Sequence, residues 1–439
     1  MLIALFVTFM LPVHPMAGGL RLDPYRLLLI VLFIPFVHGL MTRKAGRFTP
    51  SDGLMLAFGG WIVITLVYHH GMSKFAFGSI LAIELFGGYA AGRLLVRNAE
   101  DFRRYIGYVL TALVFLLPFV LFELFTGRMM IAEILGKVLP ASEKYPEWRF
   151  GLSRVQGVFP QSILYGLFCS FNAANVYYLN KDRFGRVLPR IALVLGMTMA
   201  SLSSAPTLAI GIQMLMIIWG KITGARWWLL VGLAAAAFIF LEFASNRGPI
   251  IILIETVTLD PQTGWWRYYI WQYGSQSVTQ YPLFGIGLND WARPYWMAPA
   301  SVDNFWLLIA MRHGVPGITL LIAAIVTHVV QVVRAKGLPE ERQNIRTGYM
   351  IGLVGLCFTL TTVHVWDVLA VYVMFYLGAA SFLYTAPPDT DGAAPAPVRG
   401  TAMPRNRKPV VYARSFPTPA PAAPAPAAPA PVAPFKDTA

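Results

Sequence analysis

Charge is scarce in this chain. Only 13% of its 439 residues are charged, against 56% hydrophobic, and the mean hydropathy is +0.58. That balance excludes an ordinary soluble domain and points to a polytopic membrane protein. Cysteine is nearly absent. Cys169 and Cys357 both fall inside apolar runs, which predicts two buried thiols and no disulfide. There is no nucleotide-binding loop, no His-Glu-x-x-His and no Cys-x-x-Cys. No carboxylate cluster with metal-ligand spacing stands out either, so no cofactor and no metal are expected. Acidic residues are outnumbered, 21 against 35 basic, for a net charge of +14. Such an excess suits nucleic acid, but here Lys and Arg sit in short clusters between apolar runs. That is the pattern of the positive-inside rule, and no nucleic-acid partner is expected.

What remains is apolar and periodic. The runs predict an all-α polytopic membrane protein with about twelve transmembrane helices: 2–17, 25–41, 53–68, 75–92, 103–125, 160–180, 188–203, 205–220, 227–244, 315–333, 347–363 and 367–384. Residues 2–17 have no basic n-region and no small-residue cleavage site, so a retained first helix is expected, broken by Pro12 and Pro15. Basic clusters at 43–47, 93–104, 181–190, 221–226 and 334–346 share one side, which the rule assigns to the cytoplasm with both termini. Four regions follow: an N-terminal bundle of about nine helices (1–245), an extracytoplasmic loop with short helices (246–314), C-terminal transmembrane helices (315–384) and a disordered Pro/Ala-rich cytoplasmic tail (385–439). The tail's Arg405, Arg407 and Lys408 suit anionic lipid head groups; a merely solubilising tail fits equally well. Asp182-Arg183-Phe184-Gly185-Arg186 looks like the loop motif of major-facilitator transporters. Those transporters carry it after the second and eighth helices, not between the sixth and seventh, so it reads as a basic cytoplasmic turn.

Residues 246–303 break the run of spans and are dense in rings. They hold Trp265, Trp266, Trp271, Trp291 and Trp296, five of the twelve tryptophans, with Arg247, Arg267 and Arg293. Long loops of this kind are usually functional or disordered. Aromatic faces stack on sugar CH faces, and guanidinium groups fork onto phosphate oxygens. An interfacial aromatic belt is the plainer alternative. Chemistry, if present, must come from Arg, Asp, Glu and His at the outer face. Among the histidines, His328 is expected to pack within a helix, while His69, His70, His313 and His364 lie near that face. Glu84 falls mid-helix, where pairing with a neighbouring helix is the simplest account.

Four segments stand out: Arg154-Val-Gln-Gly-Val-Phe159-Pro-Gln161; Ser203-Ser204-Ala205-Pro206; Arg267-Tyr-Tyr-Ile-Trp271 followed by Tyr281-Pro282-Leu-Phe284-Gly285-Ile-Gly287; and Asp303-Asn304-Phe-Trp-Leu307 leading to Gly314-Val-Pro-Gly317. Together, over roughly residues 150–320, they resemble the O-antigen ligase and polysaccharide polymerase superfamily. That family usually shows an Arg-x-x-Gly-x-Phe entry, a Ser-x-Ser-Arg turn, an Arg…Trp helix, a Pro-x-x-Gly-x-Gly loop and a His-Asn-x-x-Leu segment ending in Gly-x-x-Gly. Here Asp303 stands in the His position, and the Arg of the Ser-rich turn is replaced around Ala205-Pro206.

The resemblance implies a membrane glycosyltransferase at the outer face of a bacterial inner membrane. Its donor would be a polyprenyl-diphosphate-linked oligosaccharide and its acceptor a glycan or a lipid-linked glycan, with membrane lipids and polysaccharide export or chain-length proteins as partners. Polymerisation is favoured over ligation. Arg154, Arg247 and Arg267 would hold the diphosphate, with Trp271, Trp291 and Asn304 beside the substrate. Asp303 would be the base, with His364 or His313 as replacements for the family's His. A plainer role for Asp303 is an N-cap, and for Arg154 and Arg267 a lipid-phosphate contact. The rival class is a transporter or flippase of a lipid-linked oligosaccharide, which concentrates polar residues at mid-membrane rather than outside.

Overall fold

The computed structural model describes residues 1–17, 20–137, 145–224, 226–244 and 261–385. The expected tail beyond Thr385, and Arg247 with the first part of the 246–303 segment, lie outside the described residues. In chain order the elements are α1 (Leu2–Phe9), a hairpin of β1 (Met16–Ala17) and β2 (Leu20–Arg21), α2 (Pro24–Met41), α3 (Pro50–His70), α4 (Phe75–Leu95), α5 (Ala99–Thr126) and α6 (Met130–Gly136). A second hairpin, β3 (Trp148–Arg149) and β4 (Leu152–Ser153), precedes α7 (Ser162–Ser170), α8 (Ala173–Tyr178), α9 (Phe184–Met199), α10 (Ser204–Thr223) and α11 (Trp227–Ala244). Then come α12 (Pro261–Gln280), α13 (Phe305–Arg334), α14 (Glu340–Thr359), α15 (Asp367–Ala379) and α16 (Phe382–Thr385).

Seven helical segments among the described residues are long and apolar enough to cross a membrane: Pro24–Met41, Pro50–His70, Met72–Leu95, Ala99–Thr126, Ser204–Thr223, Phe305–Arg334 and Asp367–Thr385. The shortfall against twelve has local causes. The first helix stops at Phe9, ahead of Pro12 and Pro15, because proline lacks the N–H a helix needs. The run 160–180 divides into the short α7 and α8. Helix α9 has only 16 residues, and α14 opens on Glu340, Glu341 and Arg342.

The tightest packing joins α4 to α15. A Cβ on Gly92 would lie 2.1 Å from the Phe375 carbonyl oxygen, and one on Gly378 2.1 Å from that of Tyr89. Backbones in membranes approach this closely only where side chains are small. At one end of this pair Arg93, buried, forks onto Asp52 (2.8 Å from each carboxylate oxygen) and reaches the carbonyls of Ala45 and Arg47. Arg103–Glu341 (2.9 Å) and Lys181–Glu340 (3.3 Å) pair at helix ends. Several of the basic loops are thereby drawn together.

The other end holds a bent helix. Helix α13 starts at Phe305, ten residues before the expected 315, and turns at Gly314 (φ 69°, ψ −177°). Only glycine adopts that conformation readily. Pro316 has no N–H to donate to the Arg312 carbonyl four residues back. The loop 282–287 supplies the missing partners: Gly287 N donates to Arg312 O (3.0 Å), Ile286 N to Met311 O (2.7 Å), and Val315 N to Pro282 O (2.7 Å). Gly285 fits because a Cβ there would sit 2.4 Å from the Met311 oxygen. Phe284 stacks on Tyr68 (4.3 Å) and Trp61 (5.5 Å), and Leu288 N donates to His70 Nε2 (2.8 Å). The loop is therefore a clamp on the kink. Elsewhere, Glu84 pairs with Arg26 of α2 (2.7 Å), and His328 is buried between Tyr349 and Tyr384. Both cysteines are free; Cys169 is buried and Cys357 half-buried.

Candidate functional site

The site starts from a hairpin. Phe150 and Gly151 both take positive φ (55° and 77°) between β3 and β4, as a two-residue type I′ turn requires. That turn sets Arg149 before it and Arg154 after it. Buried Glu123, near the end of α5, receives the backbone N–H of Gln156 (2.6 Å) and of Gly157 (3.1 Å), which pins the chain just past Arg154. The Arg154 backbone donates to Glu147 O (2.7 Å). Its guanidinium pairs with the Glu147 carboxylate and donates to Ser203 Oγ (3.0 Å). Arg149 donates to the Leu202 carbonyl (2.9 Å), and Leu202 takes φ 46°, uncommon for a bulky residue. The Ser-rich turn is thus bent so that Leu202 and Ser203 both face arginines.

Helix α12 brings Thr263, Trp266 and Arg267 against this wall, and the approach to α13 brings Asp303. The N-cap of α13 is Asn304, whose Oδ1 accepts from Leu307 N (3.0 Å). Asp303 is left half-buried, with no hydrogen bond among the described residues. The strand-like turn before α15 adds His364, its ring near-parallel to Trp366 (5.5 Å) and Phe305 (6.3 Å). These groups line one cavity of ≈ 220 Å³. It holds the three cations Arg149, Arg154 and Arg267, the carboxylates Glu147 and Asp303, and several hydroxyls, between the indoles of Trp266 and Trp366.

Burial raises the Asp303 pKa, and Arg267 offsets part of that rise. Burial lowers the pKa of Arg154; Glu147 opposes this, and the like charges of Arg149 and Arg267 add to it. Three guanidinium groups against two carboxylates leave the lining net positive. Burial, with a smaller push from Arg312, brings His364 down to about 3, so its ring is neutral near pH 7. Its Nδ1 is buried without a hydrogen-bond partner among the described residues, as is Arg154 Nε.

Of the residues read from the sequence, Arg154, Arg267, Asp303 and His364 meet in this cavity. The others go elsewhere. Asn304 is 8% exposed and committed to its cap. Trp271 is 55% exposed on α12, away from the cavity. Trp291 belongs to a small separate core with Ile270, Met297 and Met311, its indole N–H held by the Ala300 carbonyl (3.0 Å). His313 is 1% exposed and bonds Thr65 Oγ1 (2.7 Å); it touches a second cavity and not this one. Arg247 lies outside the described residues. Sequence reasoning missed Glu147 and Arg149. Their signal was a charged trio with Arg154 around the Phe150-Gly151 turn.

Residues 191–322 match the family model described as O-antigen ligase. The matched stretch carries Ser203, Ser204, Trp266, Arg267 and Asp303, whereas Glu147, Arg149, Arg154 and His364 lie outside it. No curated protein matches the chain.

Proposed function

We propose, from the match of residues 191–322 to the O-antigen ligase family model and the motifs around it, that this chain is a membrane glycosyltransferase. Its donor is a polyprenyl-diphosphate-linked oligosaccharide, and its product a longer glycan of the exopolysaccharide or O-antigen kind. The observation that carries this reading is the cavity in which Arg149, Arg154 and Arg267 converge beside Asp303. Guanidinium forks match diphosphate oxygens and keep their charge. Asp303 accepts the proton of an acceptor hydroxyl while that oxygen attacks the anomeric carbon of the donor. The bond from that carbon to the diphosphate oxygen breaks, and the arginines hold the charge of the departing lipid diphosphate. Trp266 and Trp366 offer faces for sugar rings. His364, neutral and with no partner for Nδ1 among the described residues, orients a hydroxyl by hydrogen bonding.

In this reading the cavity faces outward from the inner membrane and both termini are cytoplasmic, following the basic loops. The chain crosses about twelve times once α9, α11, α14 and the shorter helices are counted. A strain lacking the protein should accumulate a lipid-linked single repeat unit, and the wild-type chain should restore polymer. Unchanged polymer in that strain would overturn the reading.

A further inference from the structure

A second cavity, of ≈ 390 Å³, lies on the other side of His364 and Trp366, which line both. It is bounded by the outer half of α4, the first turns of α13 and the β1–β2 hairpin. Its wall carries three arginines and two carboxylates. Arg26 is paired with Glu84 (2.7 Å), and Arg21 with Asp367 (3.1 Å) and Asp23 (2.9 Å). Arg312 differs. Half-buried, it has no carboxylate within ion-pair distance and no side-chain hydrogen bond among the described residues. An uncompensated charge in such a place is costly, and proteins keep one where a ligand completes it. Its backbone is held in place, because the Arg312 carbonyl accepts from Gly287 N at the helix kink. The charge also reaches the shared wall, since it contributes to the low pKa of His364. The rest of the lining is apolar, with Phe77, Ile80, Leu81 and Leu308, and Phe77 is 42% exposed on a helix fit to cross a membrane. The cavity therefore suits an oxyanion attached to an apolar chain.

We propose that this second cavity binds the acceptor, that the acceptor is itself a lipid-linked phosphate or diphosphate glycan, and that Arg312 takes its phosphate. The donor then occupies the arginine-lined cavity, and the acceptor's terminal hydroxyl passes His364 and Trp366, which line both cavities, to reach Asp303. This rests on the glycosyltransferase reading and selects polymerisation, in which both substrates carry the lipid phosphate.

The test is binding, so it stands apart from turnover. Full-length protein in zwitterionic nanodiscs is titrated with polyprenyl diphosphate. Two equivalents are expected for wild type. Arg312→Gln should weaken one of them tenfold or more and spare the other, Arg267→Gln should do the reverse, and Arg312→Lys should recover part of the loss. Thermal unfolding confirms that each variant is folded. If Arg312→Gln leaves both equivalents intact, the second site is wrong while the donor reading survives. Loss of neither equivalent in Arg267→Gln strikes instead at the donor reading. If phosphatidylglycerol displaces the Arg312-dependent equivalent at equal concentration, the cavity is a general phospholipid site and the acceptor assignment falls.

Discussion

Asp303→Asn separates structure from chemistry at one atom. Asparagine keeps the size and shape of the side chain and removes its basicity. The structure says why little else changes. Asp303 makes no hydrogen bond among the described residues, and the helix cap belongs to Asn304 (3.0 Å to Leu307 N). Removal of a general base typically costs about 10²–10⁴-fold in rate; the lower figure corresponds to about 2.7 kcal/mol of transition-state stabilisation. The expected thermal stability is close to wild type. Asn304→Ala is the contrasting control, losing about 1 kcal/mol of stability with the cap. The assay is glycan transfer from purified lipid-linked donor at matched folded protein. Near wild-type turnover by Asp303→Asn would refute the reasoning and move the search for a base to His364.

Three further outcomes follow from the same geometry. Arg154→Lys and Arg267→Lys keep charge but lose the fork, so each should impair transfer nearly as much as alanine; full activity of both lysine variants would contradict a bidentate diphosphate contact. The acid limb of the pH–rate profile should lie above the ordinary carboxylate range, because burial raises the Asp303 pKa, and Arg267→Gln should move the limb higher still, because Arg267 now lowers that pKa; a limb that stays put in Arg267→Gln would break the link between them. Gly314→Ala should destabilise the fold by at least about 1–3 kcal/mol from backbone conformation alone, with a clash added since the new Cβ lies 2.1 Å from Leu283 O, whereas Gly107→Ala, with nothing within 4 Å, should leave the melting temperature in detergent unchanged or raised.

The readable part of the site was the part written as chain breaks at helix ends. Arg154 precedes a glycine turn, Ser203 precedes α10, Asp303 precedes α13, and His364 precedes α15; these lie at ends that the apolar runs already placed on one side. The clamp was half legible. Gly285 and Gly287 announced a tight turn, but that it grips the carbonyls of Met311 and Arg312 depends on Pro316 leaving one of them free. Rings on α12 were indistinguishable in sequence because the helix carries aromatics on more than one face, so Trp271 looked as fit as Trp266. Arg149 and Arg312 escaped notice as functional candidates because their standing depends on distant partners, present at Leu202 for one and absent among the described residues for the other. Counting apolar runs also could not see that 160–180 divides into the short helices α7 and α8.

The central claim is that a glycosidic bond forms when a lipid diphosphate leaves. It is tested by purified protein in proteoliposomes supplied with a single lipid-linked repeat unit as the only substrate. The account predicts a ladder of longer lipid-linked glycans, with one free polyprenyl diphosphate released for each bond made. Movement of the substrate across the bilayer with no new bond and no released diphosphate would contradict it and point to a transporter.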